Sequence, residues 1–379
     1  MTKEAAIKME TLKINITTYA TGQTGGTRSL LNFANEWSKM GHDVSITTLY
    51  YIPWFPLMKS VNVITSTRSK FDFFLFYGKS KLFHKLGLSS LNLHVENLKK
   101  LYEMIPRCDI NVVSFFSLAY VASWKRSESI PLYLIMHMPE YFSEDPLERA
   151  FYSDSLFLKV NKIANSSWLA AKIFEATGID CPVMNMGAAD DKIFYPRSKA
   201  GSDKPTNTVD IVALGKGGFK NAQLIFEAVQ QLRKGSSTRN FRLHFFGQRP
   251  PIGVKFDNSS TIFHKKLTDD QLAELYSNSD IQVTFSTAES FPLPPLEAMA
   301  CGCSVITTPY GTEDYTEDEK NALLVEPNNV KMLVSKLQLL TEDLDLRRKL
   351  ILNGLKTAKR FRYEEEAKSI EKYMKFLKN

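Results

Sequence analysis

Two glutamates, Glu289 and Glu297, stand with seven residues between them in the segment Thr287-Ala288-Glu289-Ser290-Phe291-Pro292-Leu293-Pro294-Pro295-Leu296-Glu297-Ala298-Met299-Ala300-Cys301-Gly302. The first follows an apolar run over 281–285 that reads as a strand. The second lies just inside an expected helix opened by Pro294-Pro295, because proline at the first helical position forfeits no hydrogen bond and presets the helical φ. Such a helix turns free N–H groups and partial positive charge toward the loop that holds Glu289. A phosphate suits that position. A carboxylate on each side can accept hydrogen bonds from vicinal sugar hydroxyls. One short stretch thus offers a phosphate seat between two diol clamps, which fits a nucleotide-sugar.

Other candidates also follow expected strands. In Leu214-Gly215-Lys216-Gly217-Gly218-Phe219-Lys220-Asn221, two lysines flank a glycine pair, and a compact ammonium suits a diphosphate. Solvated loop lysines are the alternative. The loop from Ala20 to Arg28 carries Gly25 and Gly26, and glycine permits φ > 0 and close backbone approach to a ligand. A plain strand-to-helix turn is the alternative there. A dinucleotide enzyme would instead show Gly-x-Gly-x-x-Gly and an acid closing the second strand, and neither is present. His137 ends the apolar run 132–136, as either a structural or a catalytic histidine, with Glu140 just beyond it.

The elements that must position these residues alternate strand and helix, which predicts α/β architecture with parallel sheets. Strands are expected over 12–17, 43–47, 109–113, 131–136 and 160–164, with helices over 27–40 and 167–177. A polar stretch over 196–205 reads as a linker. The pattern restarts with strands over 209–214, 241–246, 281–285 and 304–307, and helices over 221–234, 269–277 and 364–377. At 379 residues the chain exceeds one core, so two domains facing across a cleft are expected, with ligands beyond the carboxyl ends of the strands.

Charged residues are 23% and hydrophobic ones 44%, an ordinary globular balance. Cys108, Cys181, Cys301 and Cys303 have neither zinc nor redox spacing, so a reducing cytoplasm fits best. No signal peptide opens the sequence and no run is long enough to span a membrane. The net charge of +7 points to an anionic partner, and the absence of any nucleic-acid module leaves a nucleotide diphosphate or an anionic lipid surface. The aromatic and basic stretch 50–85 suits a membrane interface, an acceptor groove or a packed insertion.

With its strand, its proline-opened helix and the following Ala-Met-Ala-Cys-Gly-Cys-Ser-Val-Ile-Thr, the Glu289–Glu297 segment resembles the Glu-x7-Glu signature of glycosyltransferase family 4, retaining nucleotide-sugar enzymes of GT-B fold. The likeness covers most of the chain and is most specific over 209–326, where Gly302, Pro309, Gly311 and 321–325 keep the family's order. It implies two doubly wound Rossmann-like domains. An acceptor-side domain would span 1–195 and a donor domain 206–361, with a last helix over 362–379 packing back on the first. It implies that Glu289 holds donor-sugar hydroxyls and Glu297 the ribose diol, while Ser290, Phe291 and Leu293 face sugar or phosphate. Gly25 and Gly26 would lie beside the phosphates, His137 against the donor sugar, and Lys216 and Lys220 on the leaving diphosphate. The family's Gly-Arg is here Gly215-Lys216, and Lys220 follows at a spacing of four instead of about five, which weakens bidentate capture at Lys216.

The implied reaction moves a hexosyl or deoxyhexosyl group from a nucleotide diphosphate-sugar to a polysaccharide, glycolipid or glycoprotein acceptor, with retention and with neither metal nor cofactor. The expected place is the cytoplasm, at an anionic inner membrane face, and nucleic acid is not expected as a partner. A nucleotide-sugar epimerase and a non-catalytic nucleotide-sugar-binding protein remain open as alternatives.

Overall fold

Six strands in each half of the chain pair in parallel, and helices between most of them carry the chain back over the sheet. The computed structural model describes residues 10–67, 91–138, 146–185, 187, 189–197, 207–235 and 238–379. The first sheet contains β1 Lys13–Ala20, β2 Asp43–Tyr50, β3 Asn62–Thr67, β4 Ile110–Val113, β5 Ile130–Ile135 and β6 Asn161–Ala164, in spatial order β3-β2-β1-β4-β5-β6. The second contains β7 Thr208–Leu214, β8 Asn240–Gly247, β9 Thr261–Lys265, β10 Ile281–Thr284, β11 Ser304–Thr307 and β12 Leu323–Leu324, in order β12-β11-β10-β7-β8-β9. Both orders reverse direction beside the first strand, between β1 and β4 and between β7 and β10. Doubly wound sheets bind ligands at the carboxyl end of that switch point.

The helices of the first half are α1 Gly25–Lys39, α2 Leu91–Met104, α3 Phe116–Trp124, α4 Pro146–Ser155 and α5 Ser167–Thr177. Those of the second are α6 Ala222–Gly235, α7 Asp269–Asn278, α8 Leu293–Ala300, α9 Val330–Glu342 and α10 Leu344–Ala358, and α11 Tyr363–Lys378 ends the chain. The central strand β7 is buried along nearly its whole length because helices cover both faces. Its Val209, Ile211 and Ala213 join one core with α6 and α9, and Val212 joins another with α7 and α8. The edge strands β3 and β9 were not anticipated from sequence, because their side chains are mostly half-buried and lack a continuous apolar run.

Unit 1 comprises Met1–Ala164, Ile173–Met186 and Glu364–Asn379, and unit 2 comprises Asn165–Lys172 and Gly187–Tyr363. Within unit 1 the last helix is fastened at several points. Trp37 Nε1 donates to the Ala367 carbonyl at 3.0 Å. His42 Nδ1 accepts the Leu12 N–H at 3.1 Å, so its other nitrogen carries the proton offered to Glu371 Oε1 at 2.9 Å. Lys378 reaches Glu10 at 3.1 Å and Asp109 at 3.3 Å.

Burial, with the Glu365 charge next, raises the Glu366 carboxyl on α11 from 4.5 to about 7. The folded state therefore holds this proton more tightly than the unfolded chain. The stability it contributes is complete below the unfolded value and is lost as pH rises through about 7. The neutral mimic Glu366→Gln should raise the melting temperature at pH 8 by about 2 °C or more and leave it unchanged near pH 4. An equal gain at both pH values would contradict this assignment.

In the described part of the aromatic and basic stretch, residues 50–67, Trp54 and Phe55 are half-buried and the segment is tied to the loop after β1 and to α1. Trp54 is half-buried with its Nε1 donating to the Thr21 carbonyl at 2.5 Å, and Asn35 of α1 holds Pro56 O at 3.0 Å and the Met58 N–H at 2.8 Å. Residues 68–85 of that stretch lie outside the described residues. Among the described residues, no helix is long and apolar enough to cross a membrane.

Candidate functional site

Two loops meet at the carboxyl ends of β7 and β10, the switch point of the second sheet. Residues 215–221 leave β7 through Gly218 (φ 64°) and a short 3-10 turn, Gly218–Lys220, closed by Asn221 in the left-handed region (φ 55°). Asn221 Nδ2 donates to the Phe285 carbonyl at 3.0 Å and to Asn328 Oδ1 at 3.0 Å. The Thr287 N–H returns a bond to the Phe219 carbonyl at 2.8 Å. These bonds fix one loop against the other and set Lys220 on Glu289.

The Lys220 ammonium pairs with Glu289 Oε1, with the two side chains only 16% and 10% exposed. Ser286 donates to the same oxygen at 2.8 Å. Lys216 is exposed, and its ammonium and that of Lys220 stand 5.6 and 5.1 Å from the Phe219 ring centroid. The ring thus gathers both cations by its negative face.

Helix α8 begins one residue earlier than the sequence predicts. Pro292 is its N-cap, Leu293 is the first helical residue, and Pro294 and Pro295 are second and third. This corrects the expected phosphate seat: three prolines lack N–H groups, so Leu293 is the one backbone donor of the first turn. Tyr315 pins the cap by donating its hydroxyl to the Pro292 carbonyl at 2.7 Å. Burial, and then the charges of Glu289, Glu313, Glu297 and Asp314, push the Tyr315 phenol well above its usual value and keep it a neutral donor. Phe291 and Leu293 turn their side chains into the core, where the Phe291 ring meets Tyr315 at 5.2 Å and Phe361 at 5.9 Å. Ser290 accepts from Asn165 Nδ2 at 3.2 Å. Glu297 is 1% exposed, with the Tyr276 hydroxyl 3.5 Å from its Oε2, so a ribose contact needs that carboxylate uncovered.

Gly25, Gly26 and His137 belong to unit 1, at the carboxyl end of the first sheet. The two glycines are the first residues of α1, behind the Thr24 cap, and neither has a positive φ. The helix expected from Thr27 therefore starts two residues earlier, at Gly25. At Gly26 the need is for space: a Cβ there would lie 3.1 Å from the Met136 sulfur, at the end of the strand that leads to His137. His137 is exposed, and its carbonyl accepts the Tyr152 hydroxyl. Glu140 lies outside the described residues. The structure thus brings Lys216, Lys220, Glu289, Ser290, Phe291, Leu293 and Glu297 together in unit 2, and groups the two glycines with His137 in unit 1.

Sequence reasoning misses Ser286 and Asn165, and marks Gly187 and Tyr315 only as parts of a domain-boundary turn and of the loop after the last large strand. A Cβ on Gly187 would come within 2.3 Å of Leu293 Cδ2 and 2.7 Å of Phe291 Cδ1, so this glycine lets the chain lie on the α8 tip. Gly311 has a similar role, with φ 70° and the Glu289 and Ser290 backbone 2.7 Å from a Cβ position. Gly218 shares a positive φ but faces open space. Gly311→Ala should therefore destabilise the protein by about 2–4 kcal/mol, from left-handed strain plus overpacking against backbone, and Gly218→Ala by about 1–2 kcal/mol. Denaturant midpoints of the two variants check this, and equal losses would contradict it.

Residues 195–357 match the family model Glycosyl transferases group 1. Among particular proteins, the N,N'-diacetylbacillosaminyl-diphospho-undecaprenol alpha-1,3-N-acetylgalactosaminyltransferase of Campylobacter jejuni is 33% identical over 113 residues, 30% of this chain and 29% of that relative's length. Two solved structures are similar over nearly the whole chain. Sucrose-phosphate synthase from Thermosynechococcus elongatus has a TM-score of 0.77 at 17% identity, covering 96% of this chain and 98% of its own. HepE from Anabaena, in complex with UDP-glucose, has a TM-score of 0.70 at 14% identity, covering 96% and 99%. The fold, two six-stranded parallel α/β domains, is that of GT-B glycosyltransferases.

Proposed function

We propose that this protein is a retaining glycosyltransferase of family 4 type. It would transfer a hexosyl or deoxyhexosyl group from a nucleotide diphosphate-sugar to a polysaccharide, glycolipid or glycoprotein acceptor. The observation that carries the reading is the Lys220–Glu289 ion pair across the switch point of the second sheet, inside the stretch that matches the glycosyltransferase family model. A donor lying there has an ammonium for its diphosphate and a carboxylate for its sugar hydroxyls within one small site. Lys220 offers three N–H groups, so contact with Glu289 leaves others for phosphate oxygens.

In the proposed reaction Lys220, Lys216 and the Leu293 N–H stabilise charge developing on the leaving diphosphate. Preorganised donors of this kind are each worth about 2.7–4 kcal/mol. Cationic side chains fill the role that a metal has elsewhere, so transfer should persist in a chelator. Glu289 holds the reacting sugar, and Glu297 takes the ribose hydroxyls once uncovered. Gly25, Gly26 and His137 are the further candidates for contact with the sugar or the acceptor. The donor's own phosphate oxygen receives the acceptor proton. The Campylobacter relative's name specifies a diphospho-undecaprenol acceptor, which makes a lipid-linked glycan on an anionic membrane face the first acceptor to try.

The test is a donor panel, with uridine donors first because HepE was solved with UDP-glucose. The chain is incubated with each nucleotide-sugar, with and without lipid-linked and polysaccharide acceptors, and free nucleotide and sugar identity are scored. Acceptor-stimulated nucleotide release supports transfer. An isomerised donor without release would mean an epimerase, and binding without either change a non-catalytic protein.

A further inference from the structure

We propose that Ser286 and Thr308 are positioning residues that hold the Glu289 carboxylate and select which of its oxygens is offered to the donor sugar. The inference rests on the reading of Glu289 as a sugar contact. Both donors that reach this carboxylate, the Lys220 ammonium and the Ser286 hydroxyl, bond to Oε1. Among the described residues none hydrogen-bonds Oε2. A serine hydroxyl has a single proton to give, and here it is committed to Glu289. The carboxylate is therefore held at one oxygen, with no hydrogen bond from the described residues at the other, which suits a hydroxyl clamp that must not rotate as the sugar reacts.

The hold is itself braced from β11. Ser286 is 1% exposed, and its carbonyl accepts the Thr308 hydroxyl at 2.8 Å. Thr308 is fully buried, and its own carbonyl accepts the hydroxyls of Thr312 at 2.9 Å and Thr307 at 3.2 Å. Thr316 extends the chain by bonding Thr312 O and Oγ1, each at 2.9 Å. The turn between them brings Gly311 onto the Glu289–Ser290 backbone. A run of buried hydroxyls thus connects the strand next to β10 with the carboxylate. Buried networks of this kind keep one geometry because each member is satisfied by its neighbours.

The test uses the full chain and the donor that the panel selects, with UDP binding measured by calorimetry. Ser286→Ala should lower kcat by about tenfold, as expected for one lost hydrogen bond to a charged group, with donor KM and UDP Kd within about twofold of the parent. In a Glu289→Ala background the same change should cost less than about twofold, because the bond has no partner left. Thr308→Val should lower kcat by about threefold or more, and Thr308→Ser should restore it. Should Ser286→Ala fail to fold, the Thr308 pair carries the test. A wild-type kcat in Ser286→Ala, an equal loss in both backgrounds, or a matching loss of UDP affinity would overturn the proposal. A parent chain that releases no nucleotide from any donor would instead overturn the glycosyltransferase reading.

Discussion

Lys220→Met should lower turnover of the nucleotide-sugar by about 10²–10³-fold, the effect of removing one preorganised donor from a developing anion. The ammonium is held in place by Glu289, by the Phe219 ring and by the fixed 3-10 turn, so little reorganisation accompanies charge development on the diphosphate. Methionine keeps the length and apolar stem of the side chain, which limits the packing change. Lys216→Met is the matched comparison. That side chain is exposed and shares the same ring, so screening by water should reduce its effect to about tenfold or less. Single-turnover rates on the two variants decide the point. Equal losses would mean a diffuse positive field with no specific contact from Lys220.

Glu289→Gln is expected to reduce kcat by about tenfold or more, with a much smaller change in UDP affinity. The amide preserves volume and can still accept the Ser286 bond, so the loop should keep its shape. What disappears is the charge that strengthens hydrogen bonds from the reacting sugar and the ionic contact that fixes Lys220. The opposite split, weak UDP binding with normal kcat, would place the carboxylate on the nucleotide. That is the outcome expected instead of Glu297→Ala, once Glu297 is uncovered to meet ribose.

Much of the scaffold was legible because it follows from local patterns. The helix over 167–177 and the strand over 304–307 are found where the apolar runs and flanking polar residues put them. Central strands read well because burial on both faces makes them rich in apolar residues, as over 211–214 of β7. Sequence alone places Gly25 and Gly26 in the loop before a helix over 27–40, because glycine permits positive φ and close approach to a ligand. In a first turn the N–H groups are unbonded in any case, and closeness to Met136 favours a residue without Cβ. Pro294-Pro295 signalled the right helix but not its starting residue.

The candidate site was legible in its charged members and opaque in their supports. Glu289, Lys220 and Lys216 draw notice because they stand in glycine- and proline-marked loops just after expected strands. Ser286 is an ordinary residue three positions before Glu289, and Thr308 reaches it only once β10 and β11 pair in register. Gly187 and Gly311 likewise show their purpose only against the α8 tip and the Glu289–Ser290 backbone.

The most direct measurement is a crystal structure of the full chain with the nucleoside diphosphate released from its donor. The account predicts the diphosphate at the carboxyl ends of β7 and β10, with phosphate oxygens about 3 Å from Lys220 Nζ and the Leu293 N–H, and with Glu289 Oε2 facing the vacated sugar position. A diphosphate bound elsewhere, with Lys220 and Glu289 still paired to each other and untouched, would contradict it.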